Sequence, residues 1–261
     1  MHFSLSDQYR SGKSIVHRLD PRVKAMAAIG FILAVSLMPV NAFPMYPLML
    51  TLVWVGIVAS EVGLGYILKR ALIALPFALA ALPLMFTVPG PALAQWGAVH
   101  ISAEGTVRFA SILFKSWLSV QMALLLAATT TFPDLLWALR ALKMPRTLVA
   151  IVGFMYRYMF VLADEAARLL RARAARSAAA SEGIAGGSLT WRARTAGGMV
   201  GNLFLRSYER SERVYDAMSS RGYAGEIRTL TPPHLKPADI LIGAGLLIPL
   251  VVVLAFGLLI Y

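Results

Sequence analysis

Gly12-Lys13-Ser14 is the triplet that closes a phosphate-binding loop, where backbone amides cradle an anion and the lysine reaches the terminal phosphates. The loop also needs a glycine five residues earlier, where Asp7 stands, and a strand leading into it, which this polar stretch does not supply. The triplet is read as chance, and the chain is expected not to bind ATP by itself. Metal ligation has no better footing. The four histidines, His2, His17, His100 and His234, are scattered and form no i, i+4 pair, and the absence of cysteine excludes thiolate sites and disulfides. No paired carboxylates and no nucleophile-histidine set stand within reach of one another, so neither a catalytic centre nor a cofactor is expected.

Two arginines carry the remaining signal. Ala175-Arg176-Ser177 and Ser220-Arg221-Gly222 each flank one guanidinium with small residues, leaving its planar fork free to enter a carboxylate-lined pocket on a partner. The first motif lies in an alanine-arginine run that also offers Arg171 and Arg173 as rival candidates. Lys115 is the one basic residue well inside an apolar segment after the first. A lysine near a segment end can snorkel, and its role is read as structural anchoring.

The elements that must position these arginines follow from composition. Of the 261 residues 58% are hydrophobic and 15% charged, against about 45 to 50% and about 25% in soluble domains, so the chain needs lipid around it. Ala25 to Val40, Met45 to Ser60, Ala71 to Val88, Phe109 to Thr130 and Ile240 to Ile260 each approach the roughly 20 residues that cross a bilayer core. The formal charge of +12 is read for topology rather than for nucleic acid, which is not expected as a partner. Sixteen of the 25 Lys and Arg lie between Asp134 and Lys236, and others precede the first segment or follow the second. The positive-inside rule then gives a cytoplasmic N-terminus, a cytoplasmic stretch from Asp134 to Lys236, an external stretch from Pro89 to Thr106 and an external Tyr261. No signal peptide is expected, because the first two dozen residues carry charge throughout. Thr147 to Leu162 is apolar enough for a sixth span but carries Arg157. It is read as a helix buried in protein at the membrane face.

Asp20-Pro21 marks the turn into the first span, and Pro76, Pro83 and Pro89 make a kink expected in the third. From Phe132 onwards the pattern changes to helices with one apolar and one charged face. A short one spans Pro133 to Lys143, and a second spans Met155 to Ala180. A third runs from Leu189 to Ser220, with Val200, Phe204, Tyr208, Tyr215 and Met218 on one stripe, Arg206, Glu209, Arg213 and Asp216 on the other, and Arg210 expected to be solvated. Gly222 and Gly225 stop it. A helix on the order of 45 Å long cannot hide inside a small loop and needs a partner surface. Neither a repeat nor strand alternation is found. The reading is an all-α membrane protein of about five transmembrane helices plus long cytoplasmic helices, divided as 1–131, 132–237 and 238–261.

The LDPRVK lead into the first span, the ERSERVYDAMSSRGYAGE segment and the paired small-Arg-small motifs resemble the transmembrane T components of energy-coupling-factor transporters. The likeness is to the cobalt and nickel branch typified by CbiQ, and Ser220 departs from the alanine the family often has there. The resemblance implies two coupling helices that form an X and present Arg176 and Arg221, with their neighbours Ala175, Ser177, Ser220 and Gly222, to a dimer of ATPase subunits. It further implies a separate, CbiM-like substrate-binding membrane subunit that captures the ion, cobalt being favoured over nickel or a vitamin. It implies placement in the bacterial cytoplasmic (inner) membrane. The alternative from a different class is a self-contained permease, which should show inward polar residues and discontinuous spans.

Overall fold

The computed structural model describes residues 9–96, 99–176, 188–225 and 235–260. The chain divides into two compact units, one formed by 7–142 with 231–261 and the other by 143–230. Each is held together in its own way.

The larger unit opens with a single turn, α1 (Ile15–Arg18), capped by Ser14, whose Oγ accepts from the His17 amide at 3.3 Å and meets His17 Nδ1 at 2.6 Å. The serine of Gly12-Lys13-Ser14 is thus engaged as a helix cap. Asp20 caps α2 (Pro21–Leu37), its carboxylate accepting from the Arg22 amide at 2.8 Å, with proline at the first helical position where no amide is needed. The helix starts at the Asp-Pro pair, four residues ahead of the apolar run. After α3 (Met45–Ala59) come α4 (Leu64–Ala71), a 3-10 turn at Leu72–Ala74, α5 (Leu75–Leu79) and α6 (Leu84–Thr87). An antiparallel pair of short strands follows, β1 (Ala92–Trp96) and β2 (Val99–Ser102), in register Trp96 with Val99 and Gln95 with His100. Then come α7 (Ala103–Thr129), α8 (Phe132–Ala141) and, after the second unit, α11 (Pro237–Ile260).

Two sequence expectations are corrected here. The third span, expected as one kinked helix over Ala71 to Val88, is three short pieces that follow the end of α4: the 3-10 turn, α5 and α6. Pro76 and Pro83 each remove a backbone donor, and Pro83 stands at the start of α6, so the prolines end helices here instead of bending one. The stretch after Pro89, in which no strands were expected, contains the hairpin. Its strands are only five and four residues long, too short for alternation to stand out.

The core of this unit joins α2, α3, α4, α7 and α11 through Phe31, Val35, Met49, Ile57, Ile67, Leu118 and Leu250, all buried. Gly105 lets the backbones of α6 and α7 touch. A Cβ there would collide with the carbonyl oxygen of Leu84 and lie 2.9 Å from Cα of Met85. Helices α2 and α7 run antiparallel, and each caps the other with a lysine. Lys24 Nζ donates to the carbonyl of Thr129, the last residue of α7, at 2.9 Å, while Lys115 Nζ donates to Ser36 and Met38 at the end of α2. The final carbonyls of a helix have no partner within it, and lipid offers none, so a cation at each negative helix end satisfies them. Lys115 is the anchor the sequence suggested. α7 and α11 are long and apolar enough to cross a membrane, whereas α3 is a shorter apolar helix of 15 residues and α2 has 17. The protein is an all-α membrane protein.

The second unit consists of α9 (Arg146–Arg176) and α10 (Leu189–Ser220). At about 1.5 Å per residue, 31 and 32 residues make rods on the order of 45 Å. Only Ala150 and Ala167 of α9 are buried within this chain and no residue of α10 is, so the helix expected over Thr147 to Leu162 is not covered by this chain's own described residues. Two crossing rods can shield only one face of each other. By length and apolarity α9 qualifies to cross a membrane.

Candidate functional site

Three contacts fix how α9 and α10 lie together. The Arg173 guanidinium sits 5.9 Å from the Trp191 ring centre, Glu165 accepts from Arg206 at 3.1 Å, and the Phe154 and Tyr223 rings meet edge to face at 6.2 Å. The sequence numbers rise on one helix as they fall on the other, so the pair is antiparallel. Glu165 also accepts from Arg168 at 2.6 Å, making it the polar joint near the middle of both rods.

Antiparallel packing sends the two C-termini to opposite ends. Arg176 is the last residue of α9, and Arg221 is the C-cap of α10. Counted from the Glu165–Arg206 joint, they lie about 16 Å and about 22 Å away in opposite directions, on the order of 40 Å apart. Both are exposed, and among the described residues neither guanidinium has a hydrogen-bond or ion-pair partner. Arg173 differs, being half-buried and engaged with Trp191. Of the three candidates in the alanine-arginine run, Arg171 and Arg176 are therefore the exposed ones. Ala175 is exposed beside them, and Ser177 lies outside the described residues.

The second motif is built by its own backbone. The Gly222 amide donates to the Ser219 carbonyl and the Tyr223 amide to the Met218 carbonyl, both at 3.0 Å, the two bonds of a Schellman ending. That ending requires a left-handed residue after the cap, and Gly222 has φ +80°. Ser220 turns its hydroxyl back onto the Asp216 carbonyl at 2.8 Å, leaving the cap arginine uncrowded. Tyr223 then folds back onto Phe154, tying the tip to the other rod. Sequence reasoning found Gly222 as a stop signal but missed Tyr223, whose partner lies 69 residues away.

Between the first half of α9 and the second half of α10 runs a cleft of about 1260 Å³, walled by Phe154, Tyr158 and Leu162 on one side and Tyr208, Tyr215 and Met218 on the other. Arg210, expected to be merely solvated, is half-buried and lines this cleft, because the helix rotation set by Glu165 and Phe154 carries it inward. The rest of the apolar stripe, Val200 and Phe204, is exposed. Among the described residues no group of three or more His, Asp or Glu side chains is gathered as a metal would need.

A lipid-embedded bundle joined in one chain to two long helices with exposed arginine tips has the makings of a membrane transport component. The CbiQ family, described as cobalt transport protein, matches residues 12–233, and the chain belongs to it. Energy-coupling factor transporter transmembrane protein EcfT of Bacillus selenitireducens is 31% identical over 235 residues, covering 84% of this chain and 83% of that one. EcfT of Lacticaseibacillus paracasei is 29% identical over 231 residues, with 85% of each covered, and EcfT of Lactococcus lactis is 27% identical over 237 residues, with 86% of each covered. The family comprises non-catalytic membrane subunits of transporters, and this chain is one of them.

Proposed function

We propose that this chain is the coupling subunit of an ATP-driven importer, with Arg176 and Arg221 each seated in an acidic groove on one of two ATPase subunits. The observation that carries the proposal is the pair of exposed arginines, without a partner among the described residues, at opposite ends of one antiparallel helix pair. An ATPase dimer that closes on ATP draws both tips inward, and rods joined near their middle at Glu165–Arg206 then tilt against each other. The exposed stripe at Val200 and Phe204 passes that tilt to a separate substrate-binding membrane subunit, CbiM-like in the cobalt case. Cobalt ion is the favoured cargo, from the family's description. The positive-inside rule supports a cytoplasmic N-terminus and cytoplasmic helix tips in a multi-pass protein of the bacterial inner membrane.

A self-contained permease is the second reading, and the break in the third span favours it, since carriers build binding sites at discontinuous helices. Affinity purification of the tagged chain from its native membrane separates the two. The expected result is a stable complex containing an ATPase and a second membrane protein rich in metal-binding side chains, with no cobalt uptake into vesicles by this chain alone. Uptake by the chain alone, without either companion, would overturn the coupling reading.

A further inference from the structure

The broken third span opens a cleft of about 280 Å³ whose walls are Leu72 and Leu75 on one side and Leu113, Phe114 and Trp117 on α7. Among the described residues of its lining, Ser116 supplies the one hydroxyl. Directly ahead of it in the chain stand Lys69 and Arg70, in the last turn of α4. Arg70 lies over the Tyr66 ring at 4.6 Å, and Arg10, from the N-terminal stretch, lies over the same ring at 3.8 Å. Two arginines thus meet on one tyrosine, with Lys69 three residues after that tyrosine on the same helix, and among the described residues no carboxylate pairs with any of the three cations. Arg10 gives one donor to the Val62 carbonyl at 3.3 Å, and the exposed ammonium of Lys69 has no partner among the described residues. Like charges drawn together without a counter-charge call for an anion, and an apolar slot about one and a half turns further along calls for a hydrocarbon chain.

We propose that this place holds one anionic phospholipid, its phosphate bound by Lys69 and Arg70 with help from Arg10 and one acyl chain lying in the cleft between α7 and the stretch Ala71 to Leu75. The arrangement is a basic pocket beside a hydrophobic slot, the form in which membrane proteins select anionic headgroups. It also gives the 3-10 turn at Leu72–Ala74 a role, since Leu72 and Ala74 of that turn are part of the cleft wall.

Trp117 in the cleft wall gives a direct readout. The full chain is placed in vesicles of phosphatidylcholine and phosphatidylglycerol, with bromine on the acyl chains of one lipid or the other. The part of the quenching lost on Trp117→Phe is the signal of the cleft. Brominated phosphatidylglycerol should quench that signal more than brominated phosphatidylcholine, by roughly fivefold for each cation engaged. The double variant Lys69→Gln with Arg70→Gln should make the two lipids equal, whereas Arg108→Gln, outside the cluster, should leave the preference intact. Equal quenching in the unaltered protein, or a preference that survives the double variant, would overturn the proposal. So would the absence of quenching by either lipid, which would mean that protein fills the cleft, and so would displacement of the lipid by soluble glycerol phosphate, which would make this a site for free phosphate.

Discussion

The membrane unit buries a core of large apolar side chains, and among the described residues the helix pair buries none. In the first, Phe31, Val35, Met49 and Ile57 are buried against neighbours, and Lys24 and Lys115 close the helix ends of the adjacent rod. In the second, Val200, Phe204 and Tyr208 are 66%, 68% and 57% exposed, and two rods of some thirty residues meet at an ion pair and two ring contacts. Large exposed apolar faces mark surfaces that other molecules cover. The first unit has an interior of its own and turns side chains such as Val55, Ile73 and Leu241 outward, as a lipid-facing surface would, whereas the second has no such interior and under the coupling proposal leaves its apolar face for a partner.

The largest effect should come from removing both arginine tips. An acidic groove that loses its guanidinium keeps a buried charge without a partner, which costs ~2 to 5 kcal/mol at an interface. Arg176→Ala or Arg221→Ala should each weaken ATPase association in pull-down and lower transport, and the double variant should abolish both. Lysine should rescue poorly, since a point charge cannot reproduce a two-pronged contact. Arg213→Ala is the control, because that side chain is 70% exposed and, among the described residues, paired only with Glu209 at 3.9 Å. Transport by the double variant equal to the control would show that the tips are not where the ATPases bind.

How much of this contrast could be read in advance depends on the range of the interactions involved. The bounds of α10 were legible at both ends, since Ser188 caps its start and Gly222 supplies the left-handed residue at its stop, both local signals. The apolar run of α11 and most of α7 were legible for the same reason. The break in the third span was half legible: prolines announced a disturbance, but whether a proline bends or ends a helix depends on what packs beside it. The lysine caps were not legible, because Lys24 and Thr129 are 105 residues apart and meet only once α2 and α7 are antiparallel. Nor could the run Arg171 to Arg176 be sorted by spacing, since Trp191, which occupies Arg173, belongs to another helix.

A smaller effect probes the closed packing of the membrane unit. Gly105→Ala adds one methyl group where the Leu84 carbonyl and the Met85 Cα already touch, and both obstacles are backbone, which cannot swing aside as a side chain would. Overpacking of this kind costs ~1 to 3 kcal/mol. The variant should unfold at a lower temperature in detergent, and α6 should exchange its amide hydrogens faster. Unchanged thermal stability would mean that α6 and α7 are not in backbone contact.

The smallest effect has the opposite sign and tests the other half of the contrast. Gly197, Gly198 and Gly201 lie in the body of α10, where a Cβ at any of them meets nothing within 4 Å. Glycine inside a helix costs conformational freedom, so Gly198→Ala should stabilise the isolated chain by ~0.4 to 1 kcal/mol, the reverse of Gly105→Ala. If these positions face only solvent, transport should be untouched as well. Under the coupling proposal they belong to a rod that slides against a partner subunit, and a close partner would turn the added methyl group into an obstacle. A variant more stable in thermal unfolding yet slower in transport would place the partner's contact on this stretch of α10. Equal gain in stability with full transport would confine that contact to the stripe at Val200 and Phe204.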